Sequence, residues 1–330
     1  MERQYIGIDL HKAFFQACAL DETGTRLWEA RVAQTTAELA GFLSRLDAQT
    51  TVAVEACGPT WPFVDAVQGT GAMACVVDTR KTKLKAGHAA KTDRLDARRL
   101  ADAVRRGSVV SIYVPPPAIR ELREECRGRH QLVRVRTRVV QMLRALLLRT
   151  GVTDAPMRRL YSPRGLAWLG AVSLPPAAQA TCGRLTTLLR TVHGEVEAAE
   201  AVVRTRAAAD PIARALDQLV GIGPVLAVTL RAEIGDIARF PRGPQLASYA
   251  GVVPRVHFSA GRGYVGRITR DGAPWVRWAL IEAAVHAGKR TDALGRWARQ
   301  LRVRKGVAKA RVALARRLCD DIVRVWPRHD

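Results

Sequence analysis

Residues 91–107 read KTDRLDARRLADAVRRG, with Asp93 and Asp96 set inside a run of cations. A spacing of i, i+3 places both carboxylates on one helix face, where they repel unless something positive lies between them. On a solvated surface, the flanking Lys91, Arg94, Arg98 and Arg99 neutralise them. In a site, a bound cation shared with other acids does so. The rest of the chain decides between these readings.

Upstream, YIGI (5–8) is a short apolar run ending in Asp9, FFQACAL (14–20) is strand-like, and RLWEARV follows the DETG turn with alternation. These read as a three-stranded meander. Thr35 and Glu38 make a capping box before the amphipathic TTAELAGFLSRL. TVAVEA (51–56) is a buried strand ending at Glu55, PTWPFVDAVQ a helix with proline near its start, and MACVVD (73–78) another buried strand. The 91–107 helix closes the unit near Gly107. Strands, a helix, then alternating strand and helix give an α/β order with a mixed sheet over residues 1–114.

The prolines at 115–117 mark a boundary. Beyond it, Leu122, Cys126, Val133, Val140, Leu143 and Leu147 recur near helical spacing among arginines. The pattern predicts a long helix from about Ile119 to Arg149, able to pair as a coiled-coil arm. Residues 151–183 read as a connection and Leu185–Ala209 as the second helix of a hairpin, which completes an arm over 115–210. From 211 to 330 the chain reads as mostly α-helical. LVGIGPVLAVTLRAEIGDIARF has a helix-hairpin-helix shape, in which the glycines let backbone N–H groups approach a phosphate. VPRVHFSAGRGYVGRITRDG reads as a Gly- and Arg-rich loop region, followed by an amphipathic helix and a basic helical tail.

Across the 330 residues, 53 Lys+Arg face 30 Asp+Glu for a net charge of +23, and only eight of the cations are lysines. Arginine's planar fork suits phosphate, and so large a charge calls for a polyanionic partner. Nucleic acid is favoured over a membrane, because no apolar run reaches spanning length. MERQYIGIDL has no apolar signal core, so the expected location is cytoplasmic. Cys18, Cys57, Cys75, Cys126, Cys182 and Cys319 are scattered, and no histidine pair has metal-ligand spacing. These patterns exclude a disulfide framework and a zinc site.

Two constellations could do chemistry. Asp9 on the first strand, Glu55 at a later strand end, and Asp93 and Asp96 on a helix form a D-E-D-D set. Ribonuclease H and RuvC folds bring such positions to one end of the sheet. Four oxygen donors there would bind one or two Mg²⁺ and clamp a phosphate undergoing displacement. Taken singly, Asp9 or Glu55 could equally cap a strand end. The GID opening also resembles actin-like ATPases, but His11-Lys12-Ala13 follows in place of their glycine and Thr/Ser. The second constellation is HFSAGRG around Ser259, with Arg255, Arg262, Arg267, Arg270 and Arg277 as candidate phosphate contacts. Ser248, in the apolar QLASYAG, reads as packing. Ser259 could be an activated nucleophile or merely a hydrogen-bonding residue in a phosphate-gripping loop.

In order, GIDLHK, VEACG, KTDRLDARRLADA, LVGIGPVLAVTLRAEIGD, YAGVVP, and FSAG with GRITRDG resemble the motifs of IS110-family transposases. The resemblance covers nearly the whole chain. It implies a RuvC-like DEDD domain (1–114), a helical arm (115–210) and a C-terminal transposase domain (211–330). It also implies an insertion-sequence recombinase that cuts and rejoins DNA. Asp9, Glu55, Asp93 and Asp96 would be the metal-holding acids and Ser259 the catalytic serine. Similar proteins work with a structured RNA that pairs with donor and target DNA, which implies a guide (bridge) RNA partner and explains the absence of a base-reading motif. Ser259-Ala260-Gly261 departs from the Ser-Gly or Ser-Ser-Gly frequent in the family. Neither group looks sufficient alone, so the expectation is a composite site, with Ser259 attacking a metal-polarised phosphate and the halves able to come from different subunits.

The rival readings are a RuvC-like structure-selective nuclease using metal-activated water, and a non-catalytic nucleic-acid-binding protein. A homo-oligomer, dimer or tetramer, is expected from the apolar stripe of the arm, whose arginines need anions. Nucleic-acid affinity should therefore fall linearly in log K against log salt in a filter-binding titration. Analytical ultracentrifugation with RNA at micromolar concentration should show an assembly larger than a monomer.

Overall fold

The computed structural model describes residues 3–79, 81–82, 92–155, 157–259 and 262–326, with backbone alone for 256–259 and 262–265. Its contacts divide the chain into two compact units, residues 1–114 and 115–330.

The first unit holds strands β1 (Gln4–Leu10), β2 (Phe14–Leu20) and β3 (Arg26–Ala33), helix α1 (Thr36–Leu43), strand β4 (Thr50–Glu55), helix α2 (Thr60–Gln68), strand β5 (Met73–Val77) and helix α3 (Asp93–Arg105). The sheet order is β3-β2-β1-β4-β5. β1 pairs antiparallel with β2, and β2 with β3, whereas β1, β4 and β5 run parallel. The unit is thus α/β with a mixed sheet. Thr35 caps α1 by accepting from the Glu38 N–H, one half of a capping box.

Because successive side chains alternate between faces, each strand serves two cores. Ile6, Ile8, Phe15, Ala17, Val52, Val54 and Val76 form one face and pack on Phe42 of α1 and on Phe63, Val64 and Val67 of α2. The opposite face, with Cys18 and Leu20 on β2 and Ala53 and Val77 beyond β1, receives Ala97, Leu100 and Ala101 of α3. Gly7 sits between those patches. A Cβ built there would stand 1.9 Å from the Ala97 carbonyl oxygen and 2.4 Å from the Ala101 nitrogen. The missing side chain lets α3 lie directly on β1.

The second unit begins with α4 (Pro117–Arg149), α5 (Pro163–Ala171) and α6 (Pro176–Ala209). α4 and α6 pair antiparallel, and Arg206–Glu125 (2.7 Å), Arg129–Glu200 (2.6 Å) and Arg136–His193 (3.3 Å) bridge them in reversed order. Val139, Leu143, Leu147, Leu160, Leu169, Cys182 and Leu189 close one end of this hairpin. The expected start of the second helix near Leu185 is corrected to Pro176, and the expected connection contains α5. The reason is local: proline at the first helical positions fixes φ, and the alanine-rich AAQATCG that follows favours helix.

The remainder comprises α7 (Pro211–Asp217), α8 (Pro224–Ile234), a 3₁₀ turn (Ile237–Arg239), α9 (Gly243–Tyr249), the hairpin β6 (Pro254–Ser259) and β7 (Arg262–Ile268), α10 (Pro274–Ala287), α11 (Ala293–Lys305) and α12 (Val307–Val325). The region expected to be loop is therefore an antiparallel ribbon, supported by alternation in PRVHFS and RGYVGRI. Cys126 of α4 and Val203 and Ala207 of α6 join the core built from α7, α8, α9, α10 and α12. In the GIG turn, Gly221 has φ +85, and a Cβ there would stand 2.3 Å from the Ala283 carbonyl oxygen. It is α10 that makes the close approach to this glycine. Glu233 of α8, with its side chain only 4% exposed, accepts from Arg127 at 2.7 and 2.9 Å. Arg123 donates to the carbonyls of Ala232 (2.7 Å) and Glu233 (2.9 Å), end-of-helix acceptors without partners in their own helix.

Adding one methyl at Gly7 should force α3 off the sheet. Gly7→Ala is expected to destabilise the first unit by about 3 kcal/mol, the upper end of overpacking costs, as read by a lowered urea midpoint.

Candidate metal centre

The sheet register builds the site. Ile8 on β1 pairs in parallel with Val54 on β4, so one residue further Asp9 and Glu55 occupy corresponding positions on neighbouring strands. Asp9 shares the face of Gly7, and Glu55 the face of Ala53. Both therefore stand on the side covered by α3. That helix starts at the same edge: Thr92 accepts from the Leu95 N–H as its cap, and Asp93 and Asp96 lie in the first turn. The positive end of the helix dipole favours acids there. With Ala97 seated over Gly7, the first turn of α3 is carried toward Asp9.

The resulting cluster is tight. Ligand atoms of Asp9, His11 and Asp93 all lie within 4.8 Å of one another. His11 Nε2 stands 3.3 Å from Asp9 Oδ2 and 3.5 Å from Asp93 Oδ2. The nitrogen itself is buried, in a side chain 40% exposed overall, and sits in ion-pair range of both carboxylates. Burial pushes the Asp9 carboxyl above its ordinary 3.8; His11 opposes the shift, and the charges of Asp93 and Asp96 add to it. Asp96 is paired with Arg99 at 3.3 Å. Glu55, at the neighbouring strand end, accepts from Thr79 Oγ1 at 2.7 Å. Arg94 turns away to Glu29 of β3, at 3.1 Å. Crowded oxygen donors, one of them reluctant to ionise, around a buried ring nitrogen suit a divalent cation.

His11 had no part in the acid pattern read from the sequence. A signal for it existed: it follows Asp9 by two residues, the spacing that returns a strand to the same face. The strand ends at Leu10, however, and the tight turn that carries His11 back is set by its N–H donating to the Phe14 carbonyl (2.9 Å).

In the second unit, Ser259 closes β6 and pairs in register with Arg262, the first residue of β7. The side chains of Ser259 and Arg262 lie outside the described residues. Arg255 is exposed, donates to the Thr269 carbonyl (3.1 Å) and faces Asp271 at 3.5 Å. Arg267 and Arg270 are exposed, the latter with φ +54, a left-handed conformation uncommon outside glycine. Arg277 is partly buried and donates to the Ala250 carbonyl at 3.0 Å, and burial together with the charge of Arg270 holds its pKa below the ordinary value. Ser248, expected to pack, is exposed on α9 instead, because the buried side of that short helix is taken by Leu246 and Ala247.

Comparison with known proteins gives two family matches. A transposase model, that of the DEDD transposases of IS110, matches residues 6–151, and the model "Transposase IS116/IS110/IS902 family" matches residues 213–301. Among relatives, the transposase for insertion sequence element IS1111A of Coxiella burnetii is 28% identical over 318 residues, covering 94% of this chain and 86% of that protein. A "Probable family 20 transposase" of Pseudomonas aeruginosa is 27% identical over 324 residues, covering 96% and 94%. The transposase for insertion sequence element IS1328 of Yersinia enterocolitica is 24% identical over 288 residues, covering 84% and 82%.

Divalent cations should stabilise the protein through this cluster. At about 100 times its Kd, an ion bound only by the folded state adds about 2.7 kcal/mol to unfolding; calorimetry should show that increment in the wild type and its loss in Asp93→Asn. The raised pKa of Asp9 sets the sign of the pH effect. Without a cation, its contribution is full below 3.8 and lost as pH rises through the higher folded value. With a cation, affinity should weaken as pH falls into the same range, because ion and proton compete for one carboxylate.

Proposed function

This chain belongs to the IS110 family of transposases, DNA recombinases of insertion sequences, and from that premise we propose how its residues divide the reaction. The acids Asp9, Glu55, Asp93 and Asp96 hold Mg²⁺ in a RuvC-like domain. Ser259 supplies the nucleophile. The single observation that carries the reading is the convergence of ligand atoms of Asp9, Asp93 and His11 within 4.8 Å.

Asp9, Glu55, Asp93 and Asp96 would hold the divalent ion, which would supply Lewis-acid polarisation of a phosphodiester oxygen. The Ser259 hydroxyl gives its proton to water and forms a P–O bond, while the bond to the leaving nucleotide oxygen breaks and that oxygen takes up a proton from water. The phosphoserine link keeps the phosphodiester bond energy. Attack by the hydroxyl of a new strand then rejoins DNA and restores the serine without a high-energy cofactor. The exposed Arg255, Arg267 and Arg270, with Arg262, grip backbone phosphates. Arg277 supports that region through the Ala250 carbonyl.

Donor and target DNA are the substrates, and a structured RNA that pairs with both supplies the sequence reading. The net charge of +23 suits such polyanions. No helix among the described residues is long and apolar enough to cross a membrane. The paired α4 and α6 present Val135, Met142, Leu148, Leu188 and Val202 to solvent, which supports assembly into a dimer or tetramer through the arm.

Denaturing gels test the chemistry. Wild type should leave a covalent protein–DNA species, and Ser259→Ala should lose it together with about 10³-fold or more of the cleavage rate. Cleavage by Ser259→Ala at the wild-type rate, with no covalent species from wild type, would assign the reaction to metal-activated water.

A further inference from the structure

We propose that His11 completes the metal centre as a nitrogen ligand through Nε2, and that it tilts the site from Mg²⁺ toward Mn²⁺. The inference deepens the reading above, since it rests on Asp9 and Asp93 being metal ligands.

Geometry carries it first. Two donors at right angles around an ion with bonds of about 2.1 Å stand about 3.0 Å apart, and at the tetrahedral angle about 3.4 Å. The separations of 3.3 and 3.5 Å from Nε2 to the two carboxylate oxygens are of that size. Neither separation is as short as the roughly 2.9 Å of an ordinary N–H···O hydrogen bond. Nε2 instead lies between both carboxylates, a buried atom in ion-pair range of each. In the tautomer with its proton on Nδ1, a ring nitrogen so placed has one lone pair to give, and an ion shared with the carboxylates would take it.

The ring is also held in advance. The His11 N–H donates to the Phe14 carbonyl at 2.9 Å, and its carbonyl accepts from the Gln34 side chain. The Gln34 N–H donates to the Ala13 carbonyl at 2.9 Å. The imidazole lies 4.8 Å from the Phe14 ring, which carries the Arg31 guanidinium 3.8 Å from its centre. A ligand fixed by its surroundings loses little freedom on binding.

Donor chemistry sets the selectivity. Mg²⁺ takes oxygen ligands and keeps its waters, whereas imidazole suits transition ions. Carboxylates with one imidazole therefore favour Mn²⁺, which accepts both donor types.

Pulsed EPR of the full-length protein loaded with Mn²⁺ reads the ligand directly. Wild type should show nitrogen modulation from a coordinated imidazole, and His11→Gln, which places an amide group where Nε2 stands, should lose it. In titrations of the same proteins, His11→Gln should weaken Mn²⁺ at least about tenfold while Mg²⁺, measured by competition, changes less than about threefold. Bound Mn²⁺ without nitrogen modulation in wild type, or equal modulation in His11→Gln, overturns the role of His11 and leaves the acids in place. Mn²⁺ binding that Asp9→Asn does not weaken, or no binding at all, overturns the acid site and this inference together. The wild-type spectrum needs no variant to fold, and far-UV circular dichroism checks His11→Gln.

Discussion

The contact of α3 with β1 at Gly7 is the constraint on which the first unit's chemistry depends. A helix ordinarily rests on a sheet through side chains on both surfaces, about 10 Å from axis to sheet. At Gly7 β1 presents no side chain, and the backbone of Ala97 and Ala101 fills the space where one would be. The close seating fixes α3 along and about its axis. It thereby places the first turn, with Asp93 and Asp96, over the strand end that carries Asp9. Ala97, Leu100 and Ala101 hold it there at helical spacing. A looser contact would leave the acids on the same edge without bringing their oxygens together.

Electrostatics in that cluster run against the rest of the molecule. A chain of net charge +23 could neutralise two neighbouring acids with arginine, and it does so at Asp96 with Arg99. Arg94 lies next to Asp93 in sequence but reaches Glu29 instead. Asp9 and Asp93 are left facing the imidazole of His11 and each other. Burial then raises the pKa of Asp9, with the neighbouring acids adding to the shift. Such strain persists only where something else over-determines the geometry, and at functional sites a ligand relieves it. A divalent ion held there would relieve repulsion and desolvation together.

In the second unit, order comes from prolines and from one buried ion pair. Proline occupies the first positions of α4, α5, α6, α7, α8, α9 and α10, each time where a helix has an N–H to spare. Glu233 with Arg123 and Arg127 ties the base of α4 to the end of α8. A buried charge that loses its partner costs several kcal/mol, so the pair fixes one register of α4 against α8. The β6–β7 ribbon leaves this packed body between α9 and α10 with its arginines exposed at positions 255 and 267. Gly251, at φ +67, permits the turn into it beneath Asp271.

Local chemistry made much of this legible in the sequence. Short apolar runs marked β1, β2, β4 and β5, alternation marked β3, helical spacing marked α4, and the proline run at 115–117 lies where the contacts divide the chain. The i, i+3 spacing placed Asp93 and Asp96 on one face before any fold was known. Where two local signals competed, the reading went astray: glycines and arginines at 254–270 spoke for loop and concealed the alternation of the ribbon. Small residues after Pro176 spoke for a connection although alanine favours helix. Tertiary structure alone decided that His11 turns back between Asp9 and Asp93, that Ser248 faces solvent, and that Gly221 serves a helix contact. Periodicity fixes which face a side chain takes, because it depends on the backbone within a few residues. The separation of groups far apart in the chain depends on how whole elements pack, and no stretch of sequence carries that distance by itself.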